Sequence, residues 1–92
     1  NAIAKWTPLE QKSPDNDTLQ YFLGVAYLTN NNSNKAIPYL NKTVNNSKSV
    51  FFEDATFYLG LAYLKENNIS DAKETLAKSN SQKNKNILDD LK

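Results

Sequence analysis

The side chains in this 92-residue chain that could do chemistry are few and badly spaced for it. There is no histidine and no cysteine. Thiolate and imidazole metal sites, disulfide scaffolds and the common nucleophile–base pairings are therefore excluded at the outset. Two carboxylate pairs exist, Glu53-Asp54 and Asp89-Asp90. Adjacent residues point to different sides of a helix, so neither pair converges on one substrate as an acid and a base would; solvated helix ends explain them. Lysine and serine are both present, but no motif sets one against the other. Asn-x-Ser/Thr triplets at Asn16, Asn31, Asn41, Asn45 and Asn68 follow from the abundance of asparagine. The chain reads as non-catalytic, with no cofactor and no metal.

The bulk numbers restrict partners in the same way. Eleven basic and ten acidic residues give a net charge of +1, with none of the clustered basic face that nucleic acid requires. No apolar run approaches the ~20 residues of a membrane span and no signal-peptide pattern is present. Composition is that of one small soluble domain. Methionine is absent even at position 1, which reads as a fragment cut from a longer protein. Asn/Lys-rich usage points to an AT-rich, bacterial genome. Compartment is left open between cytoplasm and cell envelope, because cysteine-free chains occur in both.

What must position any functional surface is a duplication. Tyr21-Phe22-Leu23-Gly24-Val25-Ala26-Tyr27-Leu28 recurs as Phe57-Tyr58-Leu59-Gly60-Leu61-Ala62-Tyr63-Leu64, 36 residues later. A period of 20 to 50 residues marks stacked-repeat architectures. Within each unit the apolar spacing is helical. Leu19, Phe22, Leu23, Ala26 and Tyr27 predict a helix over 18–29, and Ala36, Ile37, Leu40 and Val44 a second over 34–45, with Pro38 just past its first turn. The pattern returns with Phe52, Ala55, Leu59, Ala62 and Tyr63 after a Ser49 cap, and with Ile69, Ala72, Leu76 and Ala77 after a Ser70 cap. Residues 79–86 are polar and are expected to fray. Ile87, Leu88 and Leu91 form a short terminal stripe, a covering helix or a tail. At the other end Ala2-Ile3 and Trp6 fall in register with Ala36-Ile37 and Leu40, so residues 1–12 read as the second helix of a truncated preceding unit. Thr7-Pro8-Leu9-Glu10 adds a capping-box pattern there.

These residues resemble the tetratricopeptide repeat family. Leu23-Gly24-Val25-Ala26-Tyr27 and Leu59-Gly60-Leu61-Ala62-Tyr63 match its Leu-Gly-x-x-Tyr core, while Ala36 with Leu40 and Ala72 with Leu76 match the small–large pair of its second helix. A glycine inside a helix costs ~1 kcal/mol relative to alanine, so close helix approach at Gly24 and Ala36 is the expected compensation. Departures are Gln20 and Thr56 for an early aromatic, Thr43 and Ser79 for a late small residue, Lys48 and Asn84 for a closing proline, and a period two residues over the usual 34.

The resemblance implies an all-α, right-handed α-α superhelix of antiparallel helix pairs, about five helices plus a short C-terminal one. Its units would be residues 1–12, 13–48, 49–82 and 83–92. It also implies a concave face, formed by the first helices, that binds protein or peptide. Carried over, that face is Thr18, Tyr21, Val25, Leu28 and Thr29, then Asp54, Phe57, Leu61, Leu64 and Lys65. The lysine–asparagine carboxylate clamp of some members falls on Tyr21 and Val25, so it is absent and the face is apolar. Tyr21, Val25, Leu28, Phe57, Leu61 and Leu64 then either receive an apolar or helical segment of a partner, or are covered by neighbouring helices or a second copy. The alternative role is an end-of-array domain that caps a longer solenoid or self-associates.

Overall fold

In a computed structural model, residues 17–91 are described, and the expectations for residues 1–12 lie outside them. The described residues are all helical: α1 (Asp17–Thr29), α2 (Ser33–Val44), α3 (Phe52–Lys65), α4 (Ile69–Leu76) and α5 (Gln82–Asp90). Helix and turn alternate because each apolar stripe ends at a polar, asparagine-rich break.

The two tightest breaks are copies of one another. Asn31 and Asn67 both sit in the left-handed region, with φ of 62° and 60°, a conformation that asparagine tolerates better than most residues. Around them the Asn32 N–H reaches the Tyr27 carbonyl at 2.9 Å and the Asn68 N–H reaches that of Tyr63 at 2.8 Å. The Asn31 and Asn67 N–H groups bond the carbonyls of Leu28 and Leu64 at 3.1 and 3.0 Å. This is the Schellman pattern, which satisfies the last carbonyls of a helix while reversing the chain. Such short connections make α1–α2 and α3–α4 helical hairpins.

Each helix packs on the next, and α3 also touches α1 and α5 directly, whereas α2 and α4 make no close approach to each other. The odd-numbered helices thus form one layer and the even-numbered helices another. Leu23, Ala36, Leu40, Ala55, Leu59, Ala62, Ala72 and Leu76 are buried between them.

The glycines explain how closely the hairpins shut. A Cβ on Gly24 would lie 2.5 Å from Leu40 Cγ and 3.2 Å from the Leu40 backbone nitrogen. One on Gly60 would lie 2.6 Å from both Cγ and Cδ2 of Leu76. The sequence suggests that each glycine meets the small residue of its partner helix, Ala36 or Ala72. Its actual opposite is the leucine one turn later, seated over the glycine as a knob in a hole.

Three local expectations are corrected. The cap of α4 is Asn68, whose Oδ1 accepts from the Asp71 N–H at 3.3 Å and whose Nδ2 donates to Asp71 Oδ2 at 2.6 Å, not Ser70. Ser49 lies one turn before α3 and accepts from the Phe51 N–H at 3.1 Å, the cap position itself being Phe51. Ile69 and Ala77, assigned to the apolar side of α4, are exposed.

The largest correction concerns residues 79–86, which do not fray. Ser79 is buried and Asn84 is fully buried. The Asn84 amide donates to Thr56 Oγ1 at 2.9 Å and to the Leu76 carbonyl at 3.0 Å. Thr56 Oγ1 in turn donates to the Glu53 carbonyl at 2.6 Å. Ser81 caps α5 by accepting from the Asn84 N–H at 3.3 Å. A side chain that looks solvated in one dimension is thus the plug that seats α5 on the ends of α3 and α4. A buried amide is tolerated because its two donors are satisfied, although Asn84 Oδ1 and Thr43 Oγ1 carry no hydrogen bond.

Candidate partner-binding face

The row expected to bind a partner is split by the fold. Tyr21 and Leu28 are buried, at 7% and 6% exposure. Val25, Phe57, Leu61 and Leu64 are half-buried and Lys65 is exposed. On α3 the three apolar residues stand at i, i+4 and i+7, one face of the helix. On α1 only Val25, the counterpart of Leu61, keeps comparable exposure. Tyr21 and Leu28 are therefore withdrawn from the candidate face, and Val25, Leu61, Leu64 and part of Phe57 are what solvent can reach.

Tyr21 is taken by α3. Its ring stacks on Phe51 with centroids 4.5 Å apart and planes 9° from parallel. Phe22 meets it edge-on at 5.3 Å, and Tyr58 lies tilted at 6.2 Å. Phe51 also meets Phe22 edge-on at 5.6 Å. Offset and edge geometries are those aromatic quadrupoles favour, each adding ~0.5–1.5 kcal/mol beyond area burial. Phe51 sits just before α3 and carries no signal in the helical pattern, so its role is visible only in three dimensions. Phe22 is 40% exposed and extends this aromatic cluster to the surface.

Phe57 is partly covered from the other end. The Lys83 ammonium lies 4.9 Å from its ring centroid and 3.2 Å from Asp54 Oδ1. Both partners of that ion pair are about half exposed, so its stabilisation is small; with it the Lys83 ammonium lies over the Phe57 ring. Glu53 and Asp54 occupy the first turn of α3 and Lys65 its last, where each charge complements the helix dipole. The apparent acid pair is thereby accounted for as a helix end. Elsewhere Ser33, buried at the start of α2, donates to Glu66 Oε2 just past α3 and ties the two hairpins together.

Burial pushes the Tyr21 phenol from its ordinary value near 10 up to about 12, with Asp54 and then Tyr58 adding to the effect. Below pH 10 the phenol is neutral in both states and the fold keeps its full stability. Above it the unfolded chain loses the proton first, so stability falls as pH rises toward 12. The expected loss is about 2–3 kcal/mol. Tyr63 is raised in the same direction by burial, Asp71 and Glu74, so its share of the slope persists in Tyr21→Phe. Urea midpoints measured from pH 9 to 12 check this: parent and Tyr21→Phe with the same pH slope would contradict it.

The remaining repeat positions lie in the core or against it. Leu23, Ala36, Leu40, Leu59, Ala72 and Leu76 are buried. Tyr27 and Tyr63 are half-buried and pack against the core cluster. Among the described residues no helix is long and apolar enough to cross a membrane. In comparisons with known proteins, no family model, no curated protein and no solved structure matches this chain.

Proposed function

We propose that this chain is a tetratricopeptide-like helical repeat module that acts without catalysis, holding a partner protein by an apolar or helical segment. The odd-numbered helices would form the concave layer of a right-handed superhelix. The observation that carries this reading is the row Phe57, Leu61 and Leu64 on α3, half-buried and ending at exposed Lys65. Apolar side chains at i, i+4 and i+7 with one cationic residue at the end suit an amphipathic helix laid into a groove. Contact of α3 with α1 and α5, with α2 and α4 kept apart, supports a curved stack with the first helices on its inner side.

A second reading, an end-of-array domain or self-associating unit, is favoured by one observation. Asn84 plugs the α3–α4 end and α5 closes that end of the stack, as a terminal cap does.

Light scattering on the parent and on Leu61→Asp and Leu64→Asp separates the readings. A monomer whose variants keep their helicity supports the open groove. A dimer that the variants dissociate supports self-association. Loss of helicity in both variants makes the row simple core and overturns the proposal.

A further inference from the structure

The outward side of α3 carries two tracks of unlike chemistry. Ala55, Leu59 and Ala62 are buried, and at about 100° per residue Leu61 stands opposite them. Phe57 and Leu64 flank Leu61 on one side; Asp54 and Lys65 flank it on the other. The first two are half-buried and the charged pair is exposed. Along the axis Phe57 lies about 6 Å before Leu61 and Leu64 about 4.5 Å after it. Asp54 lies about 10.5 Å before it and Lys65 about 6 Å after it, a difference that the flexible lysine stem spans.

A two-fold axis can bring two copies together on this side in two ways. With the axis along α3, the helices are parallel and the tracks cross, setting Asp54 and Lys65 against the partner's Phe57 and the partner's Leu64. With the axis across α3 at Leu61, the helices are antiparallel and each track meets itself. Leu61 then meets the partner's Leu61, Phe57 meets the partner's Leu64, and Asp54 faces the partner's Lys65. The helix is self-complementary in that orientation alone. Asp54 already holds Lys83 at 3.2 Å, but a carboxylate accepts from more than one cation, and that pair is about half exposed.

We propose that this chain associates with a second copy of itself through an antiparallel α3–α3 contact centred on Leu61. The inference rests on the reading of the α3 row as an association face, and it names the occupant. A foreign helix would have to bring apolar residues, an acid and a base in the right order; α3 carries all of them.

Sedimentation of the full chain between about 10 µM and about 1 mM tests the contact. Expected is a reversible dimer with a Kd of ~10–100 µM, weak because one helix face lies at the small end of specific interfaces. Lys65→Asp sets acid against acid at both ends of the contact and weakens it about tenfold; Asp54→Lys does the same with bases. Mixing the two variants restores association, since each supplies the charge that the other lacks. Circular dichroism verifies the fold of each variant. The chain has no cysteine, so Leu61→Cys places one thiol on the axis, within disulfide reach of its copy. It is expected to oxidise to a linked dimer faster than Lys73→Cys, at an exposed position on α4. A monomer throughout, with helicity kept in Leu61→Asp, overturns the proposal and leaves the row to a different partner. Loss of helicity in both Leu61→Asp and Leu64→Asp removes the row reading itself. A dimer indifferent to the charge reversals, or not restored on mixing, overturns the antiparallel contact.

Discussion

Leu40→Ala is expected to lower the unfolding free energy by about 4–5 kcal/mol, the upper end of the range for buried leucines. Leu40 is completely buried and belongs to the contiguous core that Tyr21, Leu28, Ala36, Val44, Ala55, Leu59 and Ala62 share. Truncation leaves a hole over Gly24, which has no side chain to swing into it. Collapse would require α1 and α2 to move bodily, and their Schellman connection holds them. A chain of this size has ~5–10 kcal/mol in total, so the variant loses about half of its stability or more. Leu76→Ala removes the equivalent knob over Gly60, but Leu76 is not part of that contiguous core, so its cost is smaller. Equilibrium urea unfolding followed by helical circular dichroism measures both. A Leu40→Ala loss under about 2 kcal/mol, or a larger loss for Leu76→Ala, would show that the wedge is not where stability is concentrated.

Gly24→Val is expected to cost about 3 kcal/mol, the top of the usual overpacking range. Leaving glycine gains at most ~1 kcal/mol of helix propensity, less for a β-branched residue. Against that, the new Cβ falls 2.5 Å from Leu40 Cγ and 3.2 Å from the Leu40 backbone nitrogen. A side chain can turn aside; a backbone nitrogen moves only with its helix. At Gly60 the three nearest atoms all belong to the Leu76 side chain, so Gly60→Val is the milder change. The contact also predicts coupling. In Gly24→Val/Leu40→Ala the valine fills part of the hole that the alanine leaves, so the double variant is more stable than the sum of the two losses, by about 1–3 kcal/mol. Additive losses in the same urea experiment would mean that the two residues do not share one space.

Much of the helical layout is legible in the sequence because it depends on near neighbours. The 3.6-residue spacing around Leu23, Leu40, Leu59 and Leu76 and the asparagine breaks after Thr29 and Lys65 place four helices to within a few residues. Glycine inside a strong apolar helix announces a close approach, since nothing local justifies its cost. The spacing does not reveal that the partner of Gly24 is Leu40 rather than Ala36. Matching small with small ignores that a knob needs a hole, and the residue that fits over a missing side chain is the large one.

The candidate face is legible only in outline. Tyr21 and Phe57 occupy equivalent positions, yet Tyr21 is stacked under Phe51 while Phe57 lies beneath Lys83. Their helices are alike, but their neighbours along the chain differ: after the first hairpin comes another hairpin, after the second a single short helix. Asn84 shows the same limit from the polar side, since its burial depends on Thr56 and on the Leu76 carbonyl, 28 and 8 residues away.

The sequence by itself determined the helices of the described residues, their 36-residue duplication, the turns that shut the hairpins and the absence of histidine and cysteine. Those properties follow from backbone propensity, sterics and composition, which act over one or two helical turns. Only the tertiary structure decided which members of the apolar row stay open, where α5 docks, and that Asn84 is buried against Thr56 and the Leu76 carbonyl. Exposure and side-chain juxtaposition depend on residues brought together from distant parts of the chain, and the spacing along one helix does not encode them.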